Sequence, residues 1–270
     1  MNLKNSLLST FLILAWMLPV AAGEILFSED WDHSGGNIDG SKWSVVNVNS
    51  TDPGLVLRDL GGGDRALWIS GYRAGSTGAG LWGNQIGTKT SFPRGDRLRV
   101  TWKLWRDRNF NADAGFPNGH PSSGCMGGFY SAPASTIGTL YAHHEYALVL
   151  HWNIFNFAQP GDWSEDLYNR NKSKNLIEEI NTGTFWNNCL DKARAYTFRI
   201  TLGDSSGGKL EISTDQGLTW IEAQGANKID LGVGSASNVY LNFGPSHGMY
   251  GACFVDDIVV ERDSPPPPPP

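Results

Sequence analysis

Three segments of this chain alternate apolar and polar residues with period two. In Asp96–Asp107, DRLRVTWKLWRD, Leu98, Val100, Trp102 and Leu104 share one face; Arg99, Thr101, Lys103, Trp105 and Asp107 share the other. Glu145–Phe157 repeats the pattern: Tyr146, Leu148, Leu150 and Trp152 lie opposite Glu145, Ala147, Val149, His151 and Asn153. Ala195–Leu202 does so again, with Tyr196, Phe198, Ile200 and Leu202 opposite Thr197, Arg199 and Thr201. A helix brings its apolar residues round every three to four positions, so this spacing excludes one and specifies half-buried strands. The apolar sets face a core, and the polar sets face solvent or a groove. Shorter strand-like runs occur at Ile25–Asp32, Trp43–Val48, Leu55–Arg58, Ala66–Ser70, Lys209–Thr214, Thr219–Ala223, Asn238–Phe243 and Cys253–Glu261. Short strands separated by turns, in a chain of 270 residues with 33 glycines, predict one all-β sandwich or jelly roll. Asn109–Tyr141 reads as a long irregular loop. Gln159–Leu190 reads as a loop excursion, with a turn or two of helix at Ser173–Ile180.

The two ends of this region match each other. ILFSEDWD near the start and CFVDDIVVE near the end are both short apolar runs that carry carboxylates. Pairing them as first and last strands of the sandwich buries both and brings their acids together at a sheet edge.

Residues 1–23 have the form of a secretory signal: Lys4, an apolar Leu7–Leu18, and small residues at Val20-Ala21-Ala22. The apolar run is too short to span a bilayer. A secreted protein, extracellular or periplasmic, is expected, with the sandwich at 24–263 and a stiff proline tail at 264–270 that serves as a spacer to a further module or surface. The mature chain then meets an oxidising compartment, where three cysteines allow one disulfide. The loop-like surroundings of Cys125 and Cys189 favour that pair, and Cys253, in a strand, packs as a small apolar residue. The net charge of −6 is spread along the chain, which argues against nucleic acid and against a membrane-binding basic surface. Eleven tryptophans fill a core or stack on the flat CH face of a sugar.

Few motifs are specific. Ser213–Trp220, STDQGLTW, matches an Asp-box, S-x-D-x-G-x-T-W, in which Asp215 accepts turn amides, Gly217 takes a left-handed angle and Trp220 covers the turn. One copy argues against a propeller. Gly61–Gly63 lacks the context of a phosphate loop. His143-His144 lacks further metal ligands. Asn49-Ser50-Thr51 and Asn171-Lys172-Ser173 are glycosylation sequons.

The terminal pattern FSEDWD…FVDDIVV resembles the concanavalin A-like lectin/glucanase superfamily. The resemblance implies a jelly-roll β-sandwich of two antiparallel sheets with the terminal strands side by side. It further implies a structural Ca2+ held by Glu29, Asp30, Asp256 and Asp257. The competing reading of these acids is charge on an edge strand that deters aggregation. The E-x-D-x-E catalytic strand of the superfamily's glucanases is missing here. The nearest equivalent, EYALVLHWN, has only Glu145; a retaining hydrolase needs a second carboxylate about 5–5.5 Å away, for which Asp107 is the candidate. The outward sets define a candidate sugar surface of Lys103, Trp105, Asp107, Glu145, His151, Asn153 and Arg199. Three functions compete for it. The first is a carbohydrate-binding module that holds a polysaccharide or glycan on a concave, Trp-bearing face. The second is a lyase or hydrolase using His151, Glu145, Asp107 and Arg199, and the third is a non-catalytic adhesive module.

Overall fold

The computed structural model describes residues 23–33, 36–46, 55–70, 84–94, 97–106, 123–136, 148–153, 164–169, 174–175, 195–202, 209–213, 215–222, 236–245 and 252–262. Residues 1–22, the proline tail, both sequons and His143-His144 lie outside them. Among the described residues the chain is all-β, a sandwich of two antiparallel sheets, as the alternation predicts.

The strands are β1 Glu24–Glu29, β2 Trp43–Val46, β3 Leu55–Gly61, β4 Asp64–Ser70, β5 Gln85–Thr88, β6 Phe92–Pro93, β7 Leu98–Arg106 and β8 Ser123–Tyr130. They continue with β9 Leu148–Asn153, β10 Ser164–Asn169, β11 Lys174–Asn175, β12 Tyr196–Thr201, β13 Lys209–Ser213, β14 Ile221–Glu222, β15 Asn238–Pro245 and β16 Ala252–Arg262. One eight-stranded sheet runs β14-β13-β12-β7-β16-β4-β3, with β1 beside β16; it is called the terminal sheet below. The opposing sheet, also eight-stranded, runs β11-β10-β9-β8-β15-β5-β2, with β6 beside β15.

The core lies between the sheets. Leu98, Val100, Trp102 and Leu104 of β7 are buried there with Phe198 and Ile200 of β12, against Phe129, Leu241 and Phe243 of the opposing sheet. Trp102 stacks on Phe198 and meets Phe243 edge-on, with centroids 5.6 and 5.8 Å away. Cys253 is buried in this core, in the role expected of it.

Three expectations need correction. Within the expected loop 109–141, β8 is a full strand, hidden by the glycines of its SGCMGGFY sequence. The spacing is physical: a Cβ on Gly127 would lie 2.6 Å from Phe243 Cδ1, so the aromatic ring takes the volume that a side chain would fill. Within the expected excursion 159–190, β10 and β11 extend the opposing sheet. Finally, β1 and β16 do pair, with Glu29 opposite Ile258, but among the described residues only β1 lies at an edge, and β16 is interior. β16 runs between β7 on one side and, on the other, β4 for its first half and β1 for its second. The changeover is a bulge between Asp256 and Val259, where Asp257 has φ 46°. The bulge adds one residue, so Val255 and Ile258 both reach the core.

The Ser213–Trp220 turn is closed by its own side chains. Asp215 accepts Thr219 N at 2.8 Å, Thr219 Oγ1 at 2.5 Å and Ser213 Oγ at 2.7 Å. The Thr219 hydroxyl foremost, then its amide, pull the Asp215 carboxyl down to about 2.

Candidate functional site

The acids implied as calcium ligands all sit near the bulge, but they do not converge. Glu29 ends β1 and is buried. Its Oε1 accepts Trp31 N at 3.2 Å and lies 3.5 Å from His33 Nδ1. Its Oε2 accepts the Trp43 indole N–H at 3.0 Å and Lys42 Nζ at 3.4 Å. This clasp holds Trp31 in a left-handed conformation, φ 60°, stacked on Trp43 at 5.1 Å. For a bulky residue that backbone costs on the order of 1 kcal/mol and persists only where neighbours enforce it. Asp30 Oδ1 accepts Asp32 N at 3.1 Å. Asp257 is ion-paired with Lys103. Asp256 is buried, its Oδ1 has no hydrogen-bond partner among the described residues, and burial pushes its carboxyl up to about 7. Glu29, Asp30 and Asp257 line a cavity of about 530 Å³ together with His33 and Lys42, whereas Asp256 does not. Among the described residues no three His, Cys, Asp or Glu are spaced to hold a metal ion.

The candidate sugar residues divide between the sheets. Lys103 and Trp105 on β7 and Arg199 on β12 stand on the outer face of the terminal sheet. His151 and Asn153 lie on β9, in the opposing sheet, so the five described residues are split between the two sheets. Asp107 and Glu145 lie outside the described residues. Arg199 is already engaged: its Nε and Nη2 each reach a Glu211 carboxylate oxygen at 2.7 Å, and its guanidinium lies 3.8 Å from the Trp220 ring. Lys103 points to Asp257, whose hydrogen bond raises the ammonium above its ordinary pKa. Cys125 lies on β8 rather than in a loop, and Cys189 is outside the described residues.

Two features escaped the sequence reading. On the outer face of the terminal sheet, Trp105 is half-buried and stacks flat on Phe254, with centroids 5.1 Å apart and planes at 17°. Trp68, Ala66 and Val56 complete this cluster, and Arg58 lies 4.1 Å over Trp68. Register alone reveals it, because Phe254 pairs with Trp105 on one side and Trp68 on the other. In the opposing sheet, β10 places Asp166 directly opposite His151 and Ser164 opposite Asn153. No periodicity in SEDLYN signals that strand.

No family model and no curated protein matches the chain. Solved structures resembling it include an endo-1,3-β-glucanase from Streptomyces sioyaensis, at 16% identity over 92% of this chain and 99% of that one, with TM-score 0.48. An endo-β-1,4-glucuronan lyase from the fungus Trichoderma reesei is similar at 12% identity, over 88% of this chain and 95% of that one, TM-score 0.46. A β-1,3-glucanase from Mycobacterium marinum is similar at 14% identity, over 88% and 99%, TM-score 0.45. At these identities and scores, the chemistry of this chain has to be argued from its own residues.

Proposed function

We propose that the chain is a secreted glycan-binding module that meets its polysaccharide on the outer face of the terminal sheet, with Trp105 as the platform. The observation that carries this reading is the Trp105–Phe254 stack. A partly exposed indole fixed by a ring behind it loses little freedom when a pyranose lies against it. The flat CH side of the sugar suits an aromatic face. Lys103, Asp257 and Arg58 stand nearby on the same sheet and offer the few placed polar groups that fix a ligand's orientation.

The test is incubation of the purified protein with neutral and acidic polysaccharides, scoring retention on the polymer and release of product. Retention without product, weakened about tenfold or more by Trp105→Ala in a variant that melts like the parent, is the expected result. Retention indifferent to Trp105 would overturn the assignment of the face.

One observation favours a second reading. Asp166 opposite His151 across β9 and β10 places an acid and a base on one face of the opposing sheet, as a polysaccharide lyase or hydrolase requires. Product that disappears in His151→Ala would select that reading over binding alone.

A further inference from the structure

We propose that two lysines, Lys42 and Lys103, take the place of a divalent cation where the first and last strands meet, so that this sandwich closes without calcium. The terminal-strand pattern implies a calcium ion held by Glu29, Asp30, Asp256 and Asp257, and the acids are present. Glu29 and Asp257, however, are already engaged by the protein itself. A carboxylate offers about four lone-pair sites, and three N–H groups engage those of Glu29, from Trp31 N, Trp43 Nε1 and Lys42 Nζ, with His33 Nδ1 3.5 Å from Oε1. With its side chain only 2% exposed, Glu29 cannot turn to a new partner without stranding the Trp43 indole. Asp257 is paired with Lys103. Calcium requires six to eight oxygens around one point, and the described acids do not supply them.

Both ammonium groups are positioned by their strands. Lys103 lies opposite Asp256 in the β7–β16 register, so its side chain crosses the bulge to Asp257. Lys42 is held by a turn in which Lys42 N and Trp43 N reach Asp39 O at 3.1 and 2.9 Å, and Lys89 N reaches Lys42 O at 2.9 Å. From there Nζ touches both Glu29 Oε2 and Ser28 O at 3.4 Å. One cation thus serves the end of β1 and the other serves the bulge of β16. These are the two sides of the seam that a metal ion would bridge.

Thermal unfolding of the mature chain in about 10 mM CaCl2 and in EGTA tests this directly. A calcium site of the affinity usual in extracellular modules would raise the midpoint by about 3 °C or more. The expected shift is less than about 1 °C, with no saturable calcium binding by calorimetry. A larger rise that Asp257→Asn abolishes would overturn the proposal. In EGTA, Lys103→Met is expected to melt several degrees lower and to recover part of the loss in calcium, while Lys103→Arg stays insensitive. A Lys103→Met protein as stable as the parent in EGTA would also overturn it, and the parent's own calcium response decides the matter should that variant fail to fold.

Discussion

Arg199 and Glu211 face each other across β12 and β13 as a two-pronged ion pair, with both N–O distances at 2.7 Å. The side chains are only 19% and 15% exposed, so the pair is screened less than a surface bridge, and charged hydrogen bonds of this kind contribute about 2 kcal/mol. Arg199→Ala is expected to lower unfolding free energy in urea by about that amount and to free the Trp220 ring, which tryptophan fluorescence reads. Polysaccharide retention should be unchanged. A loss of retention with stability intact would instead give Arg199 the ligand-binding role that its residue type suggests in the sequence.

Glu29 is the anchor of the opposite end. Removing it leaves the Trp43 indole N–H and the Trp31 amide without an acceptor. Glu29→Ala is therefore expected to cost about 3 kcal/mol, measured as a lower urea midpoint with an unchanged slope. Glu29→Gln keeps one acceptor oxygen and should cost less.

Asp256 makes stability depend on pH in an unusual direction. Its folded-state pKa is raised to about 7 by burial, above the unfolded value near 4. Between those two values the folded state holds a proton that the unfolded state has released. Stability should thus fall as pH rises through this window, by at most about 1.4 kcal/mol per unit, and level off above it. Asp256→Asn removes this loss. Its advantage over the parent should be absent near pH 4 and largest above pH 7, as read from paired denaturation curves. An advantage independent of pH would show that the carboxyl is not the group that titrates.

Gly127 gives way to a ring. A methyl group there meets Phe243 Cδ1 and Cε1 at 2.6 and 2.7 Å, and overpacking of this kind costs about 1–3 kcal/mol. Gly127→Ala should be destabilised accordingly. The double variant Gly127→Ala/Phe243→Leu should recover part of the loss, giving a positive coupling in a double-mutant cycle.

Those strands whose side chains follow strict alternation were legible in the sequence. In β7 and β12 the alternation identifies the buried faces, because period two maps directly onto a half-buried strand. The pairing of β1 with β16 was also legible, from their matching apolar runs. β8 was not, because its glycines answer to Phe243 and Ile200, residues far away in the chain. β10 was not, because its polar sequence is strand only through pairing with β9. The candidate surface divides between the sheets for a related reason. Alternation says that Lys103, His151 and Arg199 point away from the core, yet each sheet of a sandwich has its own outside, and alternation cannot say which one. The acids at the bulge were found as a group, but their lysine partners come from β7 and from the turn before β2, which no local pattern links to them.

The two-part flank of β16 also bears on the order of events during synthesis. β16 sits in the middle of its sheet, between β7 and the consecutive pair β4 and β1. While the chain is still being made, β1, β4 and β7 have all emerged, yet each lacks the neighbour that joins it to the others. Closing that seam brings together residues from opposite ends of the sequence, a slow and entropically costly contact. Until the last strand arrives, three backbone edges stay open to other chains. The window for aggregation is therefore set by how quickly residues 252–262 follow the rest.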